Sequence, residues 1–537
     1  MIRTVIVLAL FIRSAATAAE DALLIDPMLL KEIETVRGVI VGPDNPLWPG
    51  WDAGDTPLMI YLPGRQEVLI NHPQPPDGFV PYEGPLSFEG MRILCRDGET
   101  SIKWDGQNTS TDVYGVETLV LADVLSNRKQ WMRGWAADPR PAEEKFADLP
   151  YERLRVDPYE QLAMIAHEAF HVFQANNLPE KATDERLVRL YPCLSVKNNV
   201  GFALEGEALY ECLHAESDAE FRDAAVRWLA IRRDRRSDLS EKAIAYEDGN
   251  EFMEGTAKYI ELVLMEALQG TEPDPALIWE QGFTGFYDLG WFRERRLDEM
   301  IGNLRGEVNV NNDPYGTSPV RGRLYFSGMA IAAMLDRIDP DWKETIRKED
   351  VTLTGLAERA LDPDGDELAE ALEEATSGPD YDTLVVQKTR LAEEGKKDTG
   401  KMLDGILNGP NTLLVVDYSR LDTSRIGISF TAFGVRSVDA ERTIYTLVPI
   451  WAAMGSEAYT FVQSVPIPTY QDRESHQFKF QLSDRTTPAQ LAGLLGTEGG
   501  GPWTADGISL DLPGVRVEAK RARISHEGSS VLIEFLP

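Results

Sequence analysis

The rhythm of apolar and polar positions changes twice along the chain. From residue 20 to about 125 the sequence is rich in proline and glycine, and short apolar runs stand apart, such as PLMIYL at 57–62 and ETLVLA at 117–122. Runs of this length between turn-forming residues predict strands joined by long loops. From about 150 to 400 the spacing becomes helical, with few β-branched runs. FRDAAVRWLAIRRDRRSDLSEKAIAYEDG (221–249) and EFMEGTAKYIELVLMEALQG (251–270) read mostly as helix. DPDGDELAEALEEA (362–375) reads as a helix capped by acids; its glycine sits two places too early for an EF-hand calcium loop. After about 411 the chain turns β-rich, with TLLVVDYSR, IGISFTAFG, TIYTLVPIW, YTFVQSVPI and KFQLS in succession. The pattern predicts an α+β protein: a β-rich part over 19–145, a helical part over 146–405, and a C-terminal all-β domain over 411–537, a sandwich or small barrel.

Length and charge narrow the picture. At 537 residues the chain exceeds one ordinary core, so two or three domains are expected. Acids outnumber bases 88 to 54, a net charge of -34. Such a surface repels phosphodiester backbones and anionic lipid, which argues against nucleic acid and membrane surfaces as partners. The N-terminus places Arg3 before an apolar stretch from Thr4 to Ile12 and then Ala16-Thr17-Ala18. This predicts a secretory leader over 1–18 and an exported protein, secreted or periplasmic. The apolar stretch is too short to span a bilayer comfortably, so stable membrane insertion is not expected. Three cysteines are too few for a disulfide scaffold. Cys193 and Cys212, nearest in sequence, are the favoured pair for any single bridge. Asn108-Thr109-Ser110 is a glycosylation sequon.

Histidine is scarce, six in all, yet two fall in QLAMIAHEAFHVFQ at 161–174. Asp157-Pro158-Tyr159-Glu160 offers an N-cap, a proline for the first turn and an acid three residues after the cap; Asn177 and Pro179 end the helix. His167 and His171 therefore lie one turn apart on one helical face. Two imidazoles at that spacing can ligate one Zn2+. Glu168, one step round, can then take a proton from a water at the open position and pass it to a leaving amine. The competing reading is a core helix, since Leu162, Ile165, Ala166, Ala169, Phe170 and Phe173 surround the pair. Buried imidazoles need partners, and a metal is the simplest one.

Zinc needs a third protein ligand. No histidine follows at close spacing, and His214 reads as a surface or core residue. Two glutamates head an E-G-x-A-x-Y pattern, Glu205 (EGEALY) and Glu254 (EGTAKY). The small residues beside each would let its helix pack closely on the histidine helix. H-E-x-x-H followed by a helical E-G-x-A resembles the gluzincin metallopeptidases, particularly their aminopeptidase-type branch, over about 150–340. The resemblance implies a zincin-like catalytic domain, one Zn2+ per chain, and a glutamate on a later helix as third ligand. It favours Glu254 over Glu205, because Glu251 stands three residues before Glu254; the other glutamate then orients a histidine or packs helices. Two departures stand out. The Gly-Ala-Met-Glu-Asn strand of that branch is not found, Tyr114-Gly115-Val116-Glu117-Thr118 being only faintly like it. The spacing from His171 to Glu254 is also longer. Aminopeptidase specificity is therefore not carried over.

Hydrolysis of an amide develops negative charge on the former carbonyl oxygen, which wants a donor opposite the metal. Tyr325, in RGRLYFSG before the small-residue stretch MAIAAMLDRI, is the candidate donor; the competing reading is a core aromatic. The expectation is an exported zinc metallopeptidase acting on peptide or protein substrates. His167, His171 and Glu254 or Glu205 would bind the metal, with Glu168 and Tyr325 catalytic. The alternative is a catalytically inactive zincin-like protein that binds or assembles at the cell exterior through its β domain.

Overall fold

The computed structural model describes residues 23–42, 45–62, 64–98, 108–123, 157–308, 313–430, 432–446, 450–454, 459–463, 467–482, 502–512 and 514–537. The expected leader lies outside these residues. No helix among them is long and apolar enough to cross a membrane. In chain order the helices used below are α1 (Pro27–Ile40), α2 (Pro158–Asn177), α3 (Val196–His214), α4 (Asp218–Arg236), α5 (Glu241–Asn250), α6 (Thr256–Leu268), α7 (Gly290–Arg305) and α8 (Ser318–Ile338). The chain forms two compact units. One takes in Met1–Ala182, Thr256–Arg296 and Asp341–Asp350; the other takes in Thr183–Gly255, Leu297–Pro340 and Val351–Pro537.

The first unit holds a six-stranded sheet in the order β3-β4-β2-β1-β6-β5. Its strands are β1 (Leu58–Leu62), β2 (Gln66–Ile70), β3 (Val80–Pro81), β4 (Ile93–Asp97), β5 (Thr109–Val113) and β6 (Val116–Ala122). Only β1 and β6 pair in parallel among these neighbours. Tyr114 and Gly115, both at positive φ, make the two-residue turn of the β5–β6 hairpin. The YGVET stretch is thus a hairpin turn running into β6. Helix α2 packs across β5 and β6, and α1 packs on α2. The α2 cap follows its sequence: the Asp157 carboxylate accepts the backbone N–H of Tyr159 and Glu160, and Pro158 fills the first turn, where no N–H is needed. Trp48 and Trp51 close on Phe170 at ring distances of 4.9 and 5.1 Å, so α2 is fixed in a dry aromatic wall.

Helix α1 departs from the strand-and-loop reading of the N-terminal part. Its Leu29, Leu30, Ile33, Val36 and Ile40 are buried at helical spacing, and Asp26 caps it ahead of Pro27. The Asn108 amide of the sequon is engaged, accepting the backbone N–H of Ala122.

The second unit gathers α3, α4, α5 and α8 with the C-terminal strands, β7 (Leu413–Asp417) through β17 (Ser530–Phe535). These strands join one eleven-stranded sheet, and two separate facing sheets are not seen among the described residues. Its apolar face shares a core with the helices: Val416, Phe461, Phe478 and Ile533 cluster with Tyr191, Phe202, Tyr246 and Leu324. The β-rich C-terminus therefore completes the core of the helical part of this unit rather than standing apart from it.

The favoured Cys193–Cys212 bridge does not form; neither cysteine is in a disulfide. Helix α3 separates the two positions. At about 1.5 Å per residue it spans well over 20 Å, far beyond the reach of a disulfide, about 7 Å between Cα atoms.

Candidate metal centre

Helix α2 sets the first two side chains. His167 and His171 stand one turn apart, their rings 4.8 Å between centroids and 83° to each other. His167 is buried and His171 half-buried. Each ring is oriented through Nδ1. His167 Nδ1 meets Glu261 Oε1 at 2.9 Å, and His171 Nδ1 meets Gln174 Oε1 at 2.7 Å. The Gln174 amide is itself oriented, because its Nε2 donates to Thr256 Oγ1 at 2.9 Å. A carboxylate and an amide oxygen can only accept, so Nδ1 carries the proton on both rings. That leaves Nε2 of each as the lone-pair nitrogen a cation requires.

The third side chain comes from a wide turn. Residues Glu251–Gly255 form a single π-helical turn that runs directly into α6. Such a turn inserts one residue into the helical register, and it recurs at functional sites. Here it lets Glu251 and Glu254, three residues apart, do different things. Glu251 accepts from Arg232 of α4, whereas one ligand atom each from Glu254, His167 and His171 lie within 4.8 Å of one another. This His-His-Glu set matches the donor types of a three-ligand zinc site.

The glycine beside Glu254 serves a different neighbour from the one its sequence suggests. A Cβ on Gly255 would lie 2.5 Å from the Cα of Gly328, and a Cβ on Gly328 would collide with the backbone of Glu251. Gly255 and Gly328 thus let the π-turn press against α8. Contact with α2 is made by α6, beginning at Thr256.

Glu205 goes elsewhere. It is fully buried and accepts from Arg232 Nε at 3.1 Å and from Arg235 Nε. Arg235 and Arg236 also hold Glu247, and Arg232 and Arg236 hold Glu251. Three arginines of α4 and three buried glutamates thus bind α3, α5 and the π-turn to α4. Burial pushes the Glu247 carboxyl up, but Arg235 and Arg236 outweigh it and hold it at about 2. Glu205 belongs to this ionic core and is outside the His-His-Glu set.

Glu168 follows His167 on α2 and is half-buried. Tyr325, on α8, is half-buried beside Glu254; burial, and then the Glu254 charge, push its phenol well above the ordinary value. Arg321, one turn earlier on α8, donates to Glu254 Oε1 at 2.8 Å and to the Tyr325 hydroxyl at 3.1 Å. Glu117, on β6, is pushed up by burial, with a hydrogen bond from Ser110 acting the other way.

Three supporting residues went unnoticed in the sequence: Glu261, Gln174 and Arg321. Two had a signal in helical spacing. Gln174 is three residues after His171, and Arg321 is four before Tyr325. Glu261 had none, since it reaches His167 from another helix. Burial would push its carboxyl up, but Lys258 and Arg296, at 2.8 Å each, together with His167, hold it well below the usual carboxylate range. It therefore stays an anion that orients His167. Glu261→Gln is expected to weaken zinc binding about 10- to 100-fold, measured by competition with a chromogenic chelator. An unchanged affinity would reduce Glu261 to a packing residue.

Comparison with family models, with curated proteins and with solved structures gives no match.

Proposed function

We propose that the protein is a zinc-dependent hydrolase of the zincin kind, most simply a peptidase, and that it acts after export. The observation that carries this reading is the meeting of His167, His171 and Glu254, with Glu168 next to His167 in the chain. The donor set fits a single divalent cation: two imidazoles with their Nδ1 protons already placed, and one carboxylate. A cation bound there supplies a Lewis acid that polarises a carbonyl and lowers the pKa of a water. The rest is done by the chain. Glu168 accepts the proton of the attacking water and returns it to the departing amine. Tyr325 keeps its proton and donates to the oxygen that gains charge. Glu261 and Gln174 keep both imidazoles turned inward. The peptide substrate is inferred from the gluzincin resemblance, and the exported location from the leader.

The test is metal content and peptide cleavage measured on one preparation of the full chain. One zinc per chain, peptide hydrolysis, loss of activity with a chelator and its return with zinc are expected. No stoichiometric metal after zinc is offered would overturn the reading. Stoichiometric zinc with no cleavage of any peptide in a broad library would favour the inactive binding protein instead.

A further inference from the structure

We propose that Arg321 is a positioning residue that restricts Glu254 to one ligating oxygen and so keeps the fourth coordination position open. The inference rests on the metal-site reading above. A carboxylate can bind a cation through one oxygen or through both. With two histidines, a two-oxygen Glu254 would complete a four-donor shell, the pattern of closed structural zinc sites. A one-oxygen Glu254 leaves three protein donors and an open position, the pattern of catalytic ones. The denticity of Glu254 therefore decides what the site can do.

Arg321 bears directly on that choice. Its Nη2 donates to Glu254 Oε1 at 2.8 Å, a charge-assisted bond from a residue that is only 8% exposed. The guanidinium is held from other sides as well. Nη1 bonds Glu185 and reaches Asn250 Oδ1 at 3.4 Å, Nη2 also donates to the Tyr325 hydroxyl, and the Phe433 ring lies 4.9 Å away. Arg321 therefore cannot swing off Glu254 without leaving several partners. One carboxylate oxygen is committed to a fixed cation before any metal arrives. The same fork places Tyr325 beside Glu254, so one residue sets both the ligand and the donor.

A merely structural ion pair between α8 and the π-turn would behave differently. Its loss would lower stability and leave the coordination number alone. The first test needs no variant: a crystal structure of the zinc-loaded wild type. One Glu254 oxygen at about 2.0–2.2 Å, with Oε1 still on Arg321, is expected; two oxygens equally close would overturn the proposal. The second test compares wild type with Arg321→Met and Arg321→Lys, read by the visible spectrum of the Co2+-substituted proteins, zinc stoichiometry and kinetics. Arg321→Met should keep its metal, change the cobalt spectrum as the second oxygen enters, and lose at least about tenfold in kcat with little change in KM. Arg321→Lys, which restores a donor, should return toward the wild-type spectrum. A cobalt spectrum unchanged in a folded Arg321→Met would refute the inference while leaving the metal-site reading intact. A wild type that takes up no metal would instead refute the reading beneath it.

Discussion

Glu168→Gln is expected to keep one zinc per chain and to lower kcat for peptide cleavage roughly 10²- to 10⁴-fold. Glutamine has the shape of glutamate and leaves the helix undisturbed, but it cannot accept a proton. Glu168 is not in the His-His-Glu set, so its loss should leave metal binding alone. Its neighbours on α2 are anchored independently, His167 by Glu261 and Phe170 by Trp48 and Trp51. Zinc content by atomic absorption and kcat on one peptide, run on the same sample, separate the two effects. Activity within a few-fold of wild type would remove Glu168 from the chemistry. Loss of zinc with activity would mean the residue helps to hold the cation.

The site was legible in the sequence where a local rule governed it. The His167–Glu168–His171 spacing and the Asp157–Pro158 cap both lie within one helix, where geometry follows from residue count. The pairing of Glu254 with that helix was reached only by resemblance, because nothing local says which later helix turns toward α2. Two features changed the meaning of the same residues. The π-turn at Glu251–Gly255 gives Glu251 and Glu254 separate tasks, and no pattern of apolar spacing announces one extra residue in a turn. Gly255 was correctly read as a close-approach residue, but its partner, Gly328, is a long-range fact.

The fold shows the same division. β1 and β6 were visible as short apolar runs, and the helices from 221 to 268 as helical spacing. Helix α1 was masked by the proline and glycine around it, although its own five apolar positions keep the 3.6 period. The C-terminal strands were visible singly, while their joining into one sheet that shares a core with α3, α5 and α8 was not. Strand order and shared cores come from pairings distant in sequence, which local pattern does not encode.

The second large effect separates the two glutamates that share one sequence pattern. Glu205→Gln should keep zinc binding yet cost about 3–5 kcal/mol in stability, the typical result of breaking a buried ion pair. The residue is 0% exposed and faces Arg232 and Arg235, which would be left short of charge where water cannot compensate. Glu254→Gln should do the reverse, losing zinc with a smaller stability loss, since Arg321 retains Glu185. Urea denaturation of the metal-free proteins and zinc stoichiometry of the folded ones give the two readings independently. The ionic core also fixes an acid limit. Glu247 has an ordinary value of 4.5 and sits at about 2 when folded. A depressed carboxyl contributes its stability fully above its ordinary pKa and loses it as pH falls toward the folded value. Wild-type metal-free protein should therefore weaken as pH falls from about 5 to about 2, and Glu205→Gln should start that decline from lower stability. A folded Glu205→Gln without zinc, or a Glu254→Gln with it, would reverse the assignment of the third ligand. The contrast follows from environment alone: the same E-G-x-A-x-Y pattern places one carboxylate among buried arginines and the other beside two imidazoles.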